Sequence, residues 1–222
     1  MPGAILDIDG TLVDSNYLHA ATWQRALRDH GYEVPAWVIH RRIGMGGDKL
    51  VAAAAGEQAE HRHGDAIREL EGRLFAELIE QVRPLAGASA LVESLAEHGL
   101  EVVLSSSAPR EQVEHYLGLL DITGVVSAWT SADDVKETKP EPDLVQAALA
   151  RMRDPRDAVM IGDSVWDGHA AARAGVPFLA VRSGGISDQE LSGAGAQAVL
   201  RDAAELCERL DVVLGALAPV AT

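Results

Sequence analysis

The sequence predicts an α/β fold, a doubly wound parallel sheet with one all-helical insertion, and three observations carry that expectation. Apolar runs of strand length alternate with stretches whose apolar residues stand three and four apart. Each of those runs closes on polar or turn residues, and one long interval near the start shows helical spacing alone. At 222 residues the chain has the size of one large domain, or of one domain with a modest insert.

The first strand is read at Ala4 to Ile8, an apolar run broken by Asp7 just where a buried strand would reach its carboxyl end. From Ser15 to Pro84 no strand pattern follows; Ile67, Leu70, Leu74 and Leu78 mark a helix there. One helix is enough to return the chain between parallel strands. Residues 15–84 are therefore expected to form a separate helical unit, and residues 1–14 with 85–222 the sheet domain. Alternation then resumes, with strands at Glu101–Ser106, Val125–Thr130, Ala158–Gly162 and Phe178–Val181. The helices between and after them are read at Ala88–His98, Pro109–Leu119, Pro142–Arg151, Trp166–Ala174 and Ala203–Leu214. Open sheets of this kind bind ligands beyond the carboxyl ends of their strands.

Composition narrows the function classes. Thirty-four Asp and Glu against 19 Lys and Arg give a formal charge of −15, which opposes phosphate backbones and anionic lipid surfaces. Four Trp, three Tyr and two Phe are too few and scattered for a base-stacking platform, so no nucleic acid polymer is expected as a partner. No apolar run approaches the ~20 residues of a bilayer span, and the opening residues lack the basic start and apolar middle of a secretion leader. The single cysteine, Cys207, allows no internal disulfide. A cytoplasmic protein without a membrane partner is expected.

Several acids sit where solvation explains them poorly. Asp7 and Asp9 stand two apart at the end of the first strand, on one side of the chain, and two carboxylates that close call for a cation. On its own, Asp-x-Asp-Gly is equally a strand end trailing solvated acids. It is not a calcium loop, because Thr11 and Leu12 fill places reserved there for a ligand and the turn glycine. A second pair, Asp163 and Asp167, closes the strand at Ala158–Gly162 and leads into a helix, where Asp163 or Ser164 also suits a helix cap. Lys139 precedes two closely spaced prolines that fix the backbone beside it, although solvation is the default for a lysine. Ser106 ends a strand, and its hydroxyl with the amides of Ser107 and Ala108 would suit an anion.

Taken in order, Asp7-Ile8-Asp9-Gly10-Thr11-Leu12-Val13-Asp14-Ser15, then Ser106, Lys139-Pro140 and Gly162-Asp163-Ser164-x-x-Asp167, the chain resembles the haloacid dehalogenase-like hydrolase superfamily. The resemblance runs from about Ala4 to Leu214. It implies a Rossmann-like catalytic core with the helical segment as a type 1 cap. It also implies a phosphatase acting on a small phosphorylated metabolite, with Asp7 as nucleophile, Asp9 as acid and base, and an aspartyl-phosphate intermediate. Mg2+ would be held by Asp7, the main-chain carbonyl of Asp9 and Asp163, with Asp167 behind them. Ser106, Ser107 and Lys139 would bind the phosphoryl group. Asp9 separates the chain from halogen-removing and phosphonate-cleaving relatives, which lack that acid.

Two rival functions follow from the same resemblance: a sugar phosphate mutase similar to β-phosphoglucomutase, and a phospho-accepting regulatory domain. The Gly44-Met45-Gly46-Gly47 loop lacks the arginine of the mutases, while His19 is common to mutases and phosphatases. The regulatory reading is opposed by the position of Asp7 and Asp9 at the first strand and by the helical insert. The glycine loop has no third glycine and no preceding strand, which rules out a dinucleotide fingerprint. Gly44, Gly46, Lys49 and His19 are expected at the substrate. Asp48 is equally a plain helix cap for Lys49–Ala55, and Arg41 and Arg42 suit a solvated helix face. His61 and His63, two apart in a helical stretch, do not share a face for a metal.

Overall fold

The computed structural model describes residues 3–217, so residues 1–2 and 218–222 of the expected core segments lie outside it. Six strands form one parallel sheet: β1 (Gly3–Leu6), β2 (Glu101–Ser105), β3 (Ala128–Thr130), β4 (Ala158–Gly162), β5 (Phe178–Val181) and β6 (Ala196–Leu200). Their order is β3-β2-β1-β4-β5-β6, so the winding reverses between β1 and β4. Strands β1, β2, β4 and β5 are buried along their whole length, as their continuous apolar sequences require of a sheet covered on both faces.

Alternation along each strand feeds two cores. Ala4, Leu6, Val102 and Leu104 join one beneath α5 (Ala88–Glu97), α6 (Arg110–Leu120), α10 (Ala203–Glu208) and α11 (Leu210–Gly215). Ile5, Val103 and Met160 join the other beneath α7 (Asp143–Arg151), α8 (Val165–Ala174) and α9 (Asp188–Gly193). Four further helices, α1 (Asn16–Asp29), α2 (Ala36–His40), α3 (Gly47–Ala55) and α4 (Glu57–Ala76), close on a third apolar cluster of their own. Leu27, Ile39, Leu50 and Ile67 are its centre, and no sheet residue belongs to it. Phe75 and Val82 instead join the core under the sheet, where the chain returns.

The structure departs from the sequence expectation at particular elements. β1 ends two residues early because the Ile8 carbonyl accepts from the amides of Leu12 (2.8 Å) and Val13 (3.1 Å), turning the chain. The strand expected at Val125–Thr130 keeps only its last three residues; Val125 and Val126 bond back to Ile122 in a turn. β6 and α9 add to the expected elements: β6 is a partly exposed edge strand in which Ala196, Gln197 and Ala198 precede Val199 and Leu200, too little apolar run to read as a strand, and α9 is too short to show a period, being defined by its Ser187–Glu190 capping box. The expected final helix breaks in two at Arg209. In α4 the buried stripe is Ile67, Glu71 and Phe75, with Leu70 and Leu74 flanking it and Leu78 beyond the helix end. Among the described residues no helix is long and apolar enough to cross a membrane.

Candidate active site

The reversal between β1 and β4 leaves a crevice at their carboxyl ends, and two acids enter it. Asp7 follows β1, its amide bonded to the Ile161 carbonyl of β4 at 2.9 Å, and Asp163 follows β4. Lys139 reaches the same place from the segment before α7, with its side chain wholly buried. Its ammonium bonds the Asp7 carboxylate, lies 2.7 Å from Asp167 Oδ1 and donates to the Ser105 carbonyl at 3.2 Å. Asp167 is fixed from its other oxygen, which accepts from the Ser164 amide at 3.0 Å and the Ser164 hydroxyl at 2.7 Å. This capping box starts α8, and the cap is Ser164, not Asp163. Asp163 stays clear of that role because it accepts from Thr11 Oγ1 at 3.1 Å and Asn16 Nδ2 at 2.8 Å.

Oxygens of Asp7, Asp163 and Asp167 lie within 4.8 Å of one another, all buried. Fully ionised, three carboxylates would outnumber the one ammonium by two charges in a buried crevice. Burial pushes the Asp7 carboxyl well up against the opposing charge of Lys139, and Asp167 and Asp163 add to the rise. Burial and then Asp167 push Asp163 up to about 7. Lys139 is driven the other way from what its burial alone would do: Asp167 and Asp7 hold it charged. Gly10 and Gly184 wall the Asp163 carboxylate so closely that a Cβ at either would collide with it. Hard oxygen donors, carboxylates in excess over the one ammonium and glycine walls fit a divalent cation such as magnesium.

Asp9 has a different setting. Its Oδ1 accepts from Ser15 Oγ at 2.6 Å and pairs with His19 at 3.6 Å, while Ser106 Oγ lies 3.4 Å from Oδ2. Ser15 stands at the N-cap of α1 but makes no side-chain cap bond; its hydroxyl serves Asp9. Burial would raise Asp9, yet the bonds from His19 and Ser15 outweigh it and hold the carboxyl below its ordinary value. His19 is raised to about 9, since Asp9 and Glu71 favour the imidazolium more than burial disfavours it. Glu71, on α4, accepts from His19 Nδ1 at 3.0 Å and Thr22 Oγ1 at 2.8 Å, and the His19 ring stacks on Phe75 with centroids 3.6 Å apart.

Ser106 is buried, and its hydroxyl accepts from the Ala108 amide at 2.9 Å, so that amide is turned onto the serine. Ser107 instead lines a cavity of about 320 Å³ between the sheet ends and the helical segment. Asp7, Asp9, His19, Gly44 and Gly46 line it too. Gly44 has φ 98°, and a Cβ there would meet Ser164 Oγ at 2.6 Å, so the loop lies directly on the core. The Gly46 amide donates to Thr138 Oγ1 at 3.0 Å, and Asp48 does not cap α3 but accepts from the Thr138 hydroxyl and amide. Lys49 turns to Glu137, at 2.7 Å, and is not among the lining residues. Arg41 pairs with Glu190 at 2.8 Å and Arg42 bonds main-chain carbonyls, so neither is simply solvated. His61 and His63 are exposed, with His63 on Tyr32.

Thr11, Asn16, Thr138, Gly184 and Glu71 carry weight that the sequence reading missed. Thr11 and Asn16 lie inside or beside the first motif and needed only the question of what holds Asp163. Glu71 left a signal, a lone acid in the apolar stripe four residues from both Ile67 and Phe75. Gly184 left none, because its neighbour Asp163 is far away in sequence.

Known proteins are similar to this chain. A family model described as "Haloacid dehalogenase-like hydrolase" matches residues 4–181. A phosphoglycolate phosphatase of Rhodospirillum rubrum is 31% identical over 93% of this chain and 90% of its own length. A bifunctional riboflavin kinase/FMN phosphatase of Arabidopsis thaliana is 27% identical over 81% of this chain, which spans only 48% of that protein. A crystal structure of a hydrolase from Pseudomonas syringae superposes with a TM-score of 0.90 at 31% identity, covering 96% of this chain and 99% of the other.

Proposed function

The chain belongs to the haloacid dehalogenase-like hydrolases, and from that premise we propose that this phosphoric monoester hydrolase cleaves a small phosphorylated metabolite by way of an aspartyl-phosphate, with magnesium as its ion. The observation that carries the proposal is the buried cluster of Asp7, Lys139, Asp163 and Asp167, whose charge calls for a divalent cation beside a carboxylate. Asp7, Asp163 and the Asp9 carbonyl would hold the ion, with Asp167 behind them, and when bound it would offset the cluster's charge and that of the phosphoryl oxygens.

Asp7 would attack phosphorus, forming an oxygen–phosphorus bond as the bond to the leaving oxygen breaks. Asp9 would give that oxygen a proton, then take one from the water that breaks the aspartyl-phosphate and returns Asp7 and inorganic phosphate. Ser15 and His19 hold Asp9 in place for both transfers. The Ser107 amide would meet a phosphoryl oxygen, Ser106 would turn its hydroxyl from Asp9 to another, and Lys139 would exchange its bond to the Ser105 carbonyl for one to the phosphoryl group, so that developing charge meets donors already at the site.

Residues 15–84 act, in this reading, as a cap that shields the intermediate. Gly46, Asp48 and Lys49 seat it on Thr138 and Glu137, while His19, Gly44 and Gly46 face the leaving group. Return of the phosphoryl group to a sugar would need cations for a second phosphate. Arg68, the cap arginine at the cavity, is already bonded by Glu60 at 2.8 and 2.9 Å, which favours water as acceptor. A cytoplasmic setting suits the proposal, supplying magnesium and phosphorylated metabolites together.

The test is hydrolysis of p-nitrophenyl phosphate with magnesium and with excess chelator, for the wild type and Asp7→Asn. Activity should need the metal and vanish in the variant, and phosphate should be trapped on the wild-type protein as a hydroxylamine-labile adduct. Full turnover in chelator would refute the metal; an active Asp7→Asn would refute the covalent route.

A further inference from the structure

Beyond the phosphoryl site, the leaving-group cavity has a charge pattern that its reaction does not require. Its apolar wall is Trp23, Ile43 and Leu50. Glu71 interrupts it. Glu71 is buried, and only its Oε1 is engaged, by His19 and Thr22; Oε2 makes no hydrogen bond among the described residues. Such an oxygen cannot be satisfied by another carboxylate, and it would take a hydroxyl.

Of the cations that line the cavity, Arg68 and His19 are occupied. Arg68 forks onto both Glu60 oxygens, and also bonds Asp65 at 2.8 Å and the Gly47 carbonyl at 3.2 Å. His19 lies between Asp9 and Glu71. Lys136 has no ion pair among the described residues but is exposed, where solvent and salt screen it. An anionic leaving group would thus be set against Glu71 with no buried cation to receive it.

Resting on the phosphatase reading, we infer that the leaving group is uncharged and hydroxyl-bearing: the enzyme takes a polyol or sugar phosphate in preference to a phosphorylated carboxylic acid such as the substrate named for the Rhodospirillum rubrum relative. Glu71 accepts one of its hydroxyls, and Trp23 with its apolar neighbours packs on its carbon face. The cavity, at about 320 Å³, limits the whole molecule to small-metabolite size.

The experiment measures kcat/KM with magnesium for glycerol 3-phosphate, ribitol 5-phosphate and glucose 6-phosphate against 2-phosphoglycolate and 3-phosphoglycerate, with p-nitrophenyl phosphate as reference. At least one neutral ester should exceed both acids by ~10-fold or more. Glu71→Gln, which keeps an acceptor and removes the charge, should raise 2-phosphoglycolate relative to the best neutral ester by ~3-fold or more. Glu60→Gln, which releases Arg68, should move the ratio the same way. If a phosphorylated acid is the best substrate of the wild type while the reference ester is turned over, the inference is overturned and the phosphatase reading stands. If no ester is hydrolysed, both fall. Equal changes for acids and neutral esters in Glu71→Gln would show that Glu71 only supports His19, and would remove it from the selection of substrate.

Discussion

Lys139→Met is the most searching perturbation of the buried cluster, because it nearly preserves side-chain length and volume while deleting the one ammonium shared by Asp7 and Asp167. What remains is three buried carboxylates within 4.8 Å of one another. At an effective dielectric of ~20, two unit charges ~5 Å apart repel by ~3 kcal/mol. Deleting one partner of a buried ion pair typically costs ~3–5 kcal/mol, most of it the charge left behind. The chain can limit the loss by protonating one carboxyl, so the upper figure is a ceiling. In a protein of this size each kcal/mol moves the melting temperature by ~2–4 °C, so the metal-free variant should melt ~6–20 °C below the wild type. Calorimetry of both proteins in excess chelator reads this directly. Magnesium should then raise the variant's melting temperature by more than the wild type's, since the ion alone would offset the charge. A variant within ~2 °C of the wild type in chelator would mean that the ammonium is not what holds the carboxylates together.

Other consequences can be checked separately. Gly184→Ala drives a Cβ against the Asp163 carboxylate, so the magnesium concentration for half-maximal activity should rise ~10-fold, with activity largely regained at saturating metal; unchanged metal dependence would contradict the role of Asp163. Asp9→Asn should lower turnover of an alkyl phosphate by ~10²-fold or more and that of p-nitrophenyl phosphate by less, since a good leaving group needs no proton; equal losses would point to a structural role. Asp134 is held below its ordinary carboxyl value: burial would raise it, but its bonds to Ser131 and the charges of Arg151 and Arg110 more than offset that. Its stabilisation is therefore present above the unfolded carboxyl value of ~3.9 and lost as pH falls through the lower folded one. Asp134→Asn should accordingly cost ~1–2 kcal/mol at pH 7 in urea unfolding and progressively less below pH 4; a penalty independent of pH would refute the electrostatic account.

The sequence by itself determined the alternation of strand and helix, the two acid pairs and their positions at strand ends, because burial on both faces imposes apolar runs and a polar strand end interrupts them visibly. The helical interval was equally legible, since a periodicity of three and four needs no partner to be seen. What escaped was whatever depends on a distant neighbour. β6 is recognisable as a strand only by its pairing with β5, and α4 buries Ile67, Glu71 and Phe75 instead of the leucine row because α1 lies against that face. Lys139 reads as a solvated lysine until the fold closes β1, β2 and α8 around it. Asp9 and Asp7, two residues apart in one motif, acquire opposite electrostatic settings because one turns to His19 and Ser15 and the other to a crowd of carboxylates. Only tertiary structure decides such differences, since the field at a buried charge is the sum over groups that the fold, and not the chain order, brings within a few ångströms.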